Sequence, residues 1–173
     1  NKVNIMALHG QTGTSCGENL VNLNFLKGKG IDYLALGHIH TYAQGELDEK
    51  GVYCYAGCLE GRGFDECGEK GFVLLDIEGG RVHSRFVPFS ARRLHRIPVD
   101  ITGLTTNSEI YRAMKEASGK IPQEDMVEYI LTGHSEPESR MSLTHLQSFA
   151  REDFFFSKIK DESRLAVSAE AYK

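Results

Sequence analysis

The sequence predicts an α/β protein in two parts, and three observations support this prediction. Two short apolar runs, Val3–Leu8 and Asp32–Leu36, each lead into histidine, which is typical of buried strands of a parallel sheet that end at one edge. After residue 93 the pattern alternates in the order strand, helix, strand, helix, strand. The composition, with 40% hydrophobic and 25% charged residues among 173, is that of a globular chain.

The stretch from residue 32 to residue 41 is the most informative, because its apolar strand runs into His38 and His40. Side chains two positions apart on an extended segment point to the same side, so the two imidazoles can face one point beyond the strand. The first apolar run also ends in histidine, His9, followed by Gly10. We therefore expect His9, His38 and His40 at one sheet edge, where α/β proteins bind ligands. The alternative is a solvated strand end whose histidines bind nothing.

The chain between and after these strands predicts one helix and two hairpins. Leu20, Leu23 and Leu26 recur at helical spacing before two glycines, which indicates a helix connecting two parallel strands. Residues 41–56 alternate around a turn at Asp48–Gly51, which indicates a hairpin. Residues 72–89 form a second hairpin with a Gly-Gly turn. We expect this second hairpin to close the edge of the sheet.

Five glycines lie between residues 57 and 71, and this density predicts a tight loop that can approach a ligand closely. Arg62 and Lys70 are the candidate phosphate-binding residues of this loop. The alternative is a structural loop that covers the sheet.

Charge and cysteine content limit the function classes. The net charge of −4 argues against a protein that coats nucleic acid, although a nuclease with a local basic surface is compatible with it. Residues 81–99 contain five arginines and no carboxylate. This run is either a local basic surface or a set of solvated side chains. The four cysteines form no Cys-x-x-Cys pair and predict free thiols in a cytoplasmic protein, with a zinc site at Cys54, Cys58 and Cys67 left open. No apolar run reaches the roughly 20 residues of a membrane helix, and the given residues contain no signal-peptide pattern, which a truncated start would hide.

A domain boundary is predicted between residues 92 and 93, with a second unit over residues 93–165 and a tail or linker over residues 166–173. In this unit we expect strands over 94–101, 126–131 and 154–159, and helices that start at Asn107 or Ser108 and at Glu138. Both helices should pack on one face of the sheet, against residues such as Ile130 and Phe155. His134 and His145 lack histidine or cysteine neighbours and are interpreted as surface or capping residues.

Three motifs in this order, LHG, DYLALGHIH and YAGCLEGRGFDECGEKGFVLLDI, resemble the carboxyl-terminal half of a calcineurin-like metallophosphoesterase, and within that family the SbcD-type DNA-repair exonucleases. The resemblance covers about the first ninety residues. The later part is similar in element order to the small capping domain that follows the phosphoesterase domain in SbcD-type nucleases, where it helps to shape and select the DNA substrate.

The resemblance implies half of a phosphoesterase β-sandwich flanked by helices, followed by a small α+β capping domain with βαβαβ order. It implies two divalent metal ions, usually Mn²⁺, that cleave phosphoesters with a metal-activated water. By motif position, His9 and His38 bind one metal and His40 the other. It also implies DNA as substrate and an SbcC-type ATPase partner. It further implies a homodimer formed largely through the amino-terminal half of the phosphoesterase domain, which this sequence lacks.

The chain departs from the family pattern in lacking the Asp-x-His, Gly-Asp and Gly-Asn-His motifs that precede LHG. We expect a fragment whose amino-terminal half, with the catalytic residues, is missing, and which is inactive alone. Asp32 and Asp65 are the nearest candidates in sequence for the bridging carboxylate, but Asp32 opens its strand at the far end from His38 and Asp65 has no histidine beside it. Two alternatives stay open: a phosphodiesterase of the same fold acting on a small molecule, and a degenerate, non-catalytic binding module.

Overall fold

The computed structural model describes residues 2–13, 18–136 and 139–166. The chain divides into two compact units. The first contains residues 1–62 and 69–91, and the second contains residues 63–68 and 92–173. The main division after Ala91 lies next to the predicted boundary, but residues 63–68 of the glycine-rich loop belong to the second unit. The predicted tail lies outside the described residues, except for Ala166.

The first unit is built mainly from strands. Its elements are β1 (Ile5–His9), β2 (Gln11–Thr12), β3 (Leu20–Val21), a 3-10 helix (Leu23–Phe25), β4 (Tyr33–Gly37), β5 (Ala43–Glu46), β6 (Val52–Tyr55), β7 (Gly71–Glu78) and β8 (Arg81–Pro88). The main sheet has the order β1-β4-β6-β5, in which β1, β4 and β6 are parallel and β5 is antiparallel to β6. Leu34 and Leu36 of β4 lie in the core of this unit.

The predicted helix over Leu20–Leu26 is wrong. Leu20 and Val21 instead form β3, which pairs with β2, and Asn22 starts a single 3-10 turn by accepting a hydrogen bond from the Asn24 N–H. The leucine spacing of three residues matches the 3-10 period as well as it matches an α-helix. The first unit contains no α-helix among the described residues, so the expected flanking helices are not found in this part of the structure.

Both predicted hairpins form. In the first, the Asp48 carboxylate accepts hydrogen bonds from the backbone N–H groups of Gly28, Lys50 and Gly51, which lowers the pKa of Asp48 and fixes the turn between β5 and β6. A side chain at Gly51 would collide with the carbonyl oxygen of Ile31, so this position requires glycine.

The second hairpin has a two-residue turn in which Gly79 and Gly80 both have positive φ, of 58° and 81°. The expectation that it closes the edge of the main sheet is wrong, because β7 and β8 pair only with each other. The hairpin contacts β5 and the residue before it through side chains instead. Ser84 Oγ donates to Gln44 Oε1 at 2.9 Å, and the rings of Phe86 and Tyr42 lie 4.7 Å apart.

The second unit has the predicted βαβαβ order. Its elements are β9 (Leu94–Asp100), α1 (Asn107–Ser118), β10 (Met126–Thr132), β11 (His134–Ser135), α2 (Leu143–Ala150), β12 (Phe156–Asp161) and β13 (Arg164–Leu165). The parallel sheet has the order β12-β10-β9, which places Pro98 on an edge strand, where proline is tolerated. One hydrophobic core joins both helices to the sheet.

The helix boundaries and the core face differ from the prediction. Thr106, not Asn107 or Ser108, caps α1 and forms a capping box with Glu109. Ser142 caps α2, which is shorter than the predicted helix that began at Glu138, a residue outside the described part of the chain. The alternate residues Val127, Tyr129 and Leu131 of β10 form the core, and Ile130 does not.

Candidate metal centre

The parallel pairing of β1 and β4 brings the first two candidate histidines to one edge of the sheet. His9 is the last residue of β1 and lies opposite Gly37, the last residue of β4. The Gly10 N–H continues this pairing by donating to the Gly37 carbonyl at 3.2 Å. The two strands therefore end together, and His38 is the next residue of the second strand.

Gly37 gives the imidazole of His9 its space. A Cβ atom at position 37 would lie 2.9 Å from His9 Nδ1, which is closer than real contacts of this kind. The absence of a side chain at residue 37 therefore allows the His9 ring to lie across the end of β4.

His38 does not continue the strand. Its φ is 101°, a positive value that few non-glycine residues adopt, and β4 ends one residue earlier. His38 and His40 therefore do not lie on one side of an extended segment, which corrects the prediction from the sequence. The turn instead directs His38 towards β1, where its ring meets the His9 ring edge to face with centroids 5.3 Å apart.

This spacing fits two imidazoles that share one ion. A nitrogen-to-metal distance of about 2.1 Å, with ligands at tetrahedral or octahedral angles, gives ring centroids roughly 4.5–5.5 Å apart. His9 and His38 are both exposed, so their rings are open to solvent. The geometry of this pair therefore suits one divalent ion.

The backbone of His40 is held by side chains of the glycine-rich loop. Its carbonyl oxygen accepts a hydrogen bond from Lys70 Nζ at 2.8 Å and one from the Cys58 thiol at 3.4 Å. Gly57, with φ of 80°, packs against the same segment, since a Cβ there would lie 3.3 Å from the His40 carbonyl oxygen. The glycine-rich loop thus fixes the course of the chain after β4.

Tyr55 supports the other half of the candidate site. Its hydroxyl donates to the Gly10 carbonyl and accepts from the Thr12 N–H, both at 2.8 Å. The ring itself is buried in the core of the first unit. Tyr55 therefore holds the turn that follows His9. Sequence reasoning missed this role because the two partners are more than forty residues apart.

The candidate phosphate-binding residues differ in environment. Lys70 is only 3% exposed, and the contact that the structure records for its ammonium group is the carbonyl of His40. That contact positions the chain and is not a substrate contact. Arg62 is exposed at the end of the first segment of this unit. Substrate binding by Arg62 and Lys70 stays a prediction.

Two of the candidate zinc ligands, Cys54 and Cys67, have different local environments. Cys54 is buried in β6, and this burial raises the pKa of its thiol, which disfavours the thiolate that binds zinc. Cys67 belongs to the second unit, where its thiol donates to the Phe64 carbonyl at 3.1 Å. Cys54, Cys58 and Cys67 are not in disulfides, and Cys16 lies outside the described residues.

Among the described residues of the first unit, no carboxylate forms a group of three potential metal ligands with His9 and His38. Two dications roughly 3.5–4 Å apart need an anionic bridge between them. Asp32 precedes β4, and its carboxylate accepts a hydrogen bond from the Asn4 N–H at the opposite end of the strands from His9. Asp65 belongs to the second unit. The pair formed by His9 and His38 therefore fits one ion, and Asp32 is not placed to bridge this ion to a second.

Comparison of the chain with the models of known protein families and with curated proteins gives no match. Within the described ranges, neither α-helix is long and apolar enough to cross a membrane.

Proposed function

We propose that this chain is part of a metal-dependent phosphodiesterase, and that the whole protein is a DNA exonuclease of the SbcD type. The observation that carries the proposal is the pair formed by His9 and His38, which lie side by side where two adjacent parallel strands end. The resemblance of the motifs around these residues supports the class of enzyme. The βαβαβ order of the second unit supports a nuclease over a simple phosphatase.

The chain's own residues contribute binding and positioning. His9 and His38 would hold one divalent ion, and the ion would supply Lewis-acid chemistry at a phosphoester when bound. Gly37 leaves room for the His9 ring, and Tyr55 holds the turn at Gly10. His40 is the candidate ligand of a second ion, and Lys70 fixes the His40 backbone. Because no carboxylate among the described residues of the first unit groups with His9 and His38, hydrolysis would require residues beyond this pair.

Mn²⁺ binding tests the histidine pair without requiring catalysis. We expect the 173-residue chain to bind one Mn²⁺, measured as the loss of the free-ion electron paramagnetic resonance signal. His9→Ala and His38→Ala should each weaken binding by at least about tenfold, because each removes one of two neighbouring imidazoles. His145→Ala is the matched control and should leave binding unchanged, since this exposed histidine lies in the second unit. Equal binding by all four proteins would refute the site.

Hydrolysis tests the enzyme class. We expect this chain alone not to cleave linear duplex DNA in excess Mn²⁺, and the full-length gene product to cleave it in a manner abolished by His9→Ala or His38→Ala. Robust cleavage by the chain alone, lost in those variants, would show that it carries a complete site. Cleavage of bis-p-nitrophenyl phosphate but not DNA by the full-length product would favour the small-molecule phosphodiesterase. No hydrolysis of either would favour the binding module.

A further inference from the structure

A groove runs between α2 and β12 within the second unit. Two adjoining cavities of about 390 and 560 Å³ form it, and both are lined by Gln147 and Arg151. The wall nearer the start of β12 is formed by Phe155 and Phe156. None of the functions argued above uses this groove.

The lining of the groove favours an anionic ligand. Neither cavity is lined by a carboxylate, whereas Arg151 and Lys158 both contribute to the walls. Lys158 Nζ forms an ion pair with Glu128 Oε1 at 2.8 Å. Arg151 is therefore the principal candidate for a phosphate contact. Arginine suits this role because its planar guanidinium binds phosphate oxygens in a bidentate manner.

The same groove exposes two aromatic rings. Phe155 is 61% exposed and Phe156 is 48% exposed, although large apolar side chains are usually covered. The guanidinium of Arg92 lies 3.6 Å from the centroid of the Phe155 ring, and the ring of Phe64 stacks on Phe156 with centroids 6.3 Å apart. Each ring is therefore supported on one side and open on another.

The guanidinium of Arg92 packs against the Phe155 ring. Arg92 Nε is buried and has no hydrogen-bond partner in the described part of the chain. Leaving this N–H unpaired costs free energy, and the cation–π contact with the ring offsets that cost only in part. A planar group stacked on the open face of Phe155 would extend the stack of guanidinium and ring.

The backbone of β12 beside the groove is already hydrogen-bonded to the side chain of Gln147. Gln147 Nε2 donates to the Ser157 carbonyl at 2.9 Å, and Gln147 Oε1 accepts from the Ile159 N–H at 3.0 Å. One side-chain amide thus takes the hydrogen bonds that an added strand would need at this point of edge strand β12. A peptide that binds by adding a strand is disfavoured here.

We propose that this groove binds single-stranded nucleic acid, with a base stacked on Phe155 and a neighbouring phosphate held by Arg151. Exposed aromatic rings beside cations, without a carboxylate, match the general chemistry of single-strand binding. Single strands are favoured over duplex because a base must be unstacked to meet the ring. The inference deepens the proposed function, since it gives a nuclease a second contact with its substrate, and it rests on that function for its biological meaning.

Fluorescence anisotropy of a labelled oligothymidylate of 15 nucleotides tests the groove. The 173-residue chain is titrated in EDTA, so that neither metal binding nor hydrolysis contributes to the signal. We expect Phe155→Ala and Arg151→Ala each to weaken binding about tenfold, a typical loss for one stacked base or one charged contact. Arg151→Ala should also reduce the dependence of affinity on salt concentration.

Matched controls remove an arginine and a phenylalanine outside the groove lining. Arg112→Ala on α1 and Phe149→Ala on α2 should leave the affinity unchanged, since both are exposed and neither lines the groove. Circular dichroism of each variant checks that the fold is retained.

Three results would overturn the proposal. The first is no binding of the oligonucleotide, and the second is equal affinity of all five proteins. The third is equal or tighter binding of a polyglutamate peptide, which would identify a surface for acidic peptides. Because the assay excludes metal, its failure leaves the proposed Mn²⁺ site standing, and failure of Mn²⁺ binding leaves this groove standing.

Discussion

At the scale of single residues, two glycines and one tyrosine shape the candidate metal centre. Gly37 makes room for the His9 ring, and Gly57 packs against the His40 segment. The Tyr55 hydroxyl ties the turn after β1 to the core strand β6. The close approach at Gly37 could be predicted from the sequence, since glycine next to a candidate ligand suggests it. The contact of Tyr55 could not, because only the tertiary fold brings these positions together.

The polar network on the other face of the second sheet also depends on tertiary pairing. Glu128 lies at the centre of β10, in register with Arg96 on β9 and Lys158 on β12. Its carboxylate is nearly buried and contacts Lys158 Nζ at 2.8 Å and Arg96 Nε at 2.7 Å. Burial alone would raise the pKa of Glu128, but the hydrogen bond and charge of Lys158, together with Arg96, outweigh burial and lower it.

Replacing Glu128 with glutamine tests this network. Glu128→Gln should lower the free energy of unfolding at pH 7 by about 1–3 kcal/mol, because two cations lose a buried, hydrogen-bonded carboxylate. The folded-state pKa lies below the unfolded value of about 4.3, so the stabilisation is complete above that pH and is lost as pH falls through the folded-state pKa. Urea unfolding at pH 7 and pH 3 measures it. Glu116→Gln is the control, since this carboxylate is exposed on α1. A Glu128→Gln deficit of equal size at both pH values would contradict the account.

At the scale of elements, the sequence predicted strongly patterned segments better than segments whose patterns fit more than one structure. The strands ending at His9 and near His38, both hairpins and the βαβαβ order form as expected. The leucines between 20 and 26 fit a helical period, but the pairing of β3 with β2 takes Leu20 into a strand and leaves only a 3-10 turn after it. Alternation in β10 likewise does not tell which residues face the helices, and Val127, Tyr129 and Leu131 take that side.

Strand β1 has an exposure that its sequence does not predict. It lies at an edge of the main sheet, and its apolar side chains Ile5, Met6 and Leu8 are 48%, 36% and 39% exposed. Apolar runs in parallel sheets are normally covered on both faces. An open, apolar edge strand without a charge is a site at which another strand can pair.

A lysine on this strand should therefore reduce self-association of the chain. We expect sedimentation velocity of the unmodified chain to show association that increases with concentration, and Ile5→Lys to shift the chain towards monomer, because a charge opposes edge-to-edge pairing. Phe25→Lys is the matched control, since Phe25 is 66% exposed but lies outside the sheet. Equal effects of the two substitutions would indicate general apolar association and not pairing at β1.

At the scale of the whole molecule, the two units have separate hydrophobic cores. The core of the first contains Leu34 and Leu36, and the core of the second contains Ile110, Tyr129 and Leu131. The division in space does not follow the chain strictly, because residues 63–68 leave the first unit and join the second. There the Phe64 ring stacks on Phe156, and the Gly68 N–H donates to the Leu94 carbonyl at 3.3 Å. The change of sequence pattern near residue 92 predicted the boundary. The sequence did not predict that residues 63–68 belong to the second unit, because this depends on the contact between the Phe64 and Phe156 rings, about ninety residues apart in the chain.

Two truncations in the separate cores provide the last prediction. Leu34→Ala and Leu131→Ala each remove a fully buried side chain, and each should destabilise its own unit by about 2–5 kcal/mol through lost burial and a residual cavity. Hydrogen exchange read by mass spectrometry reports each unit separately. Leu34→Ala should lower protection in β4 and β6 while leaving β10 unchanged, and Leu131→Ala should lower it in β9, β10 and β12. Peptides covering residues 63–68 should lose protection with Leu131→Ala and not with Leu34→Ala, because these residues are held by the second unit. Loss of protection across both units from either substitution would show that the two cores unfold as one cooperative structure.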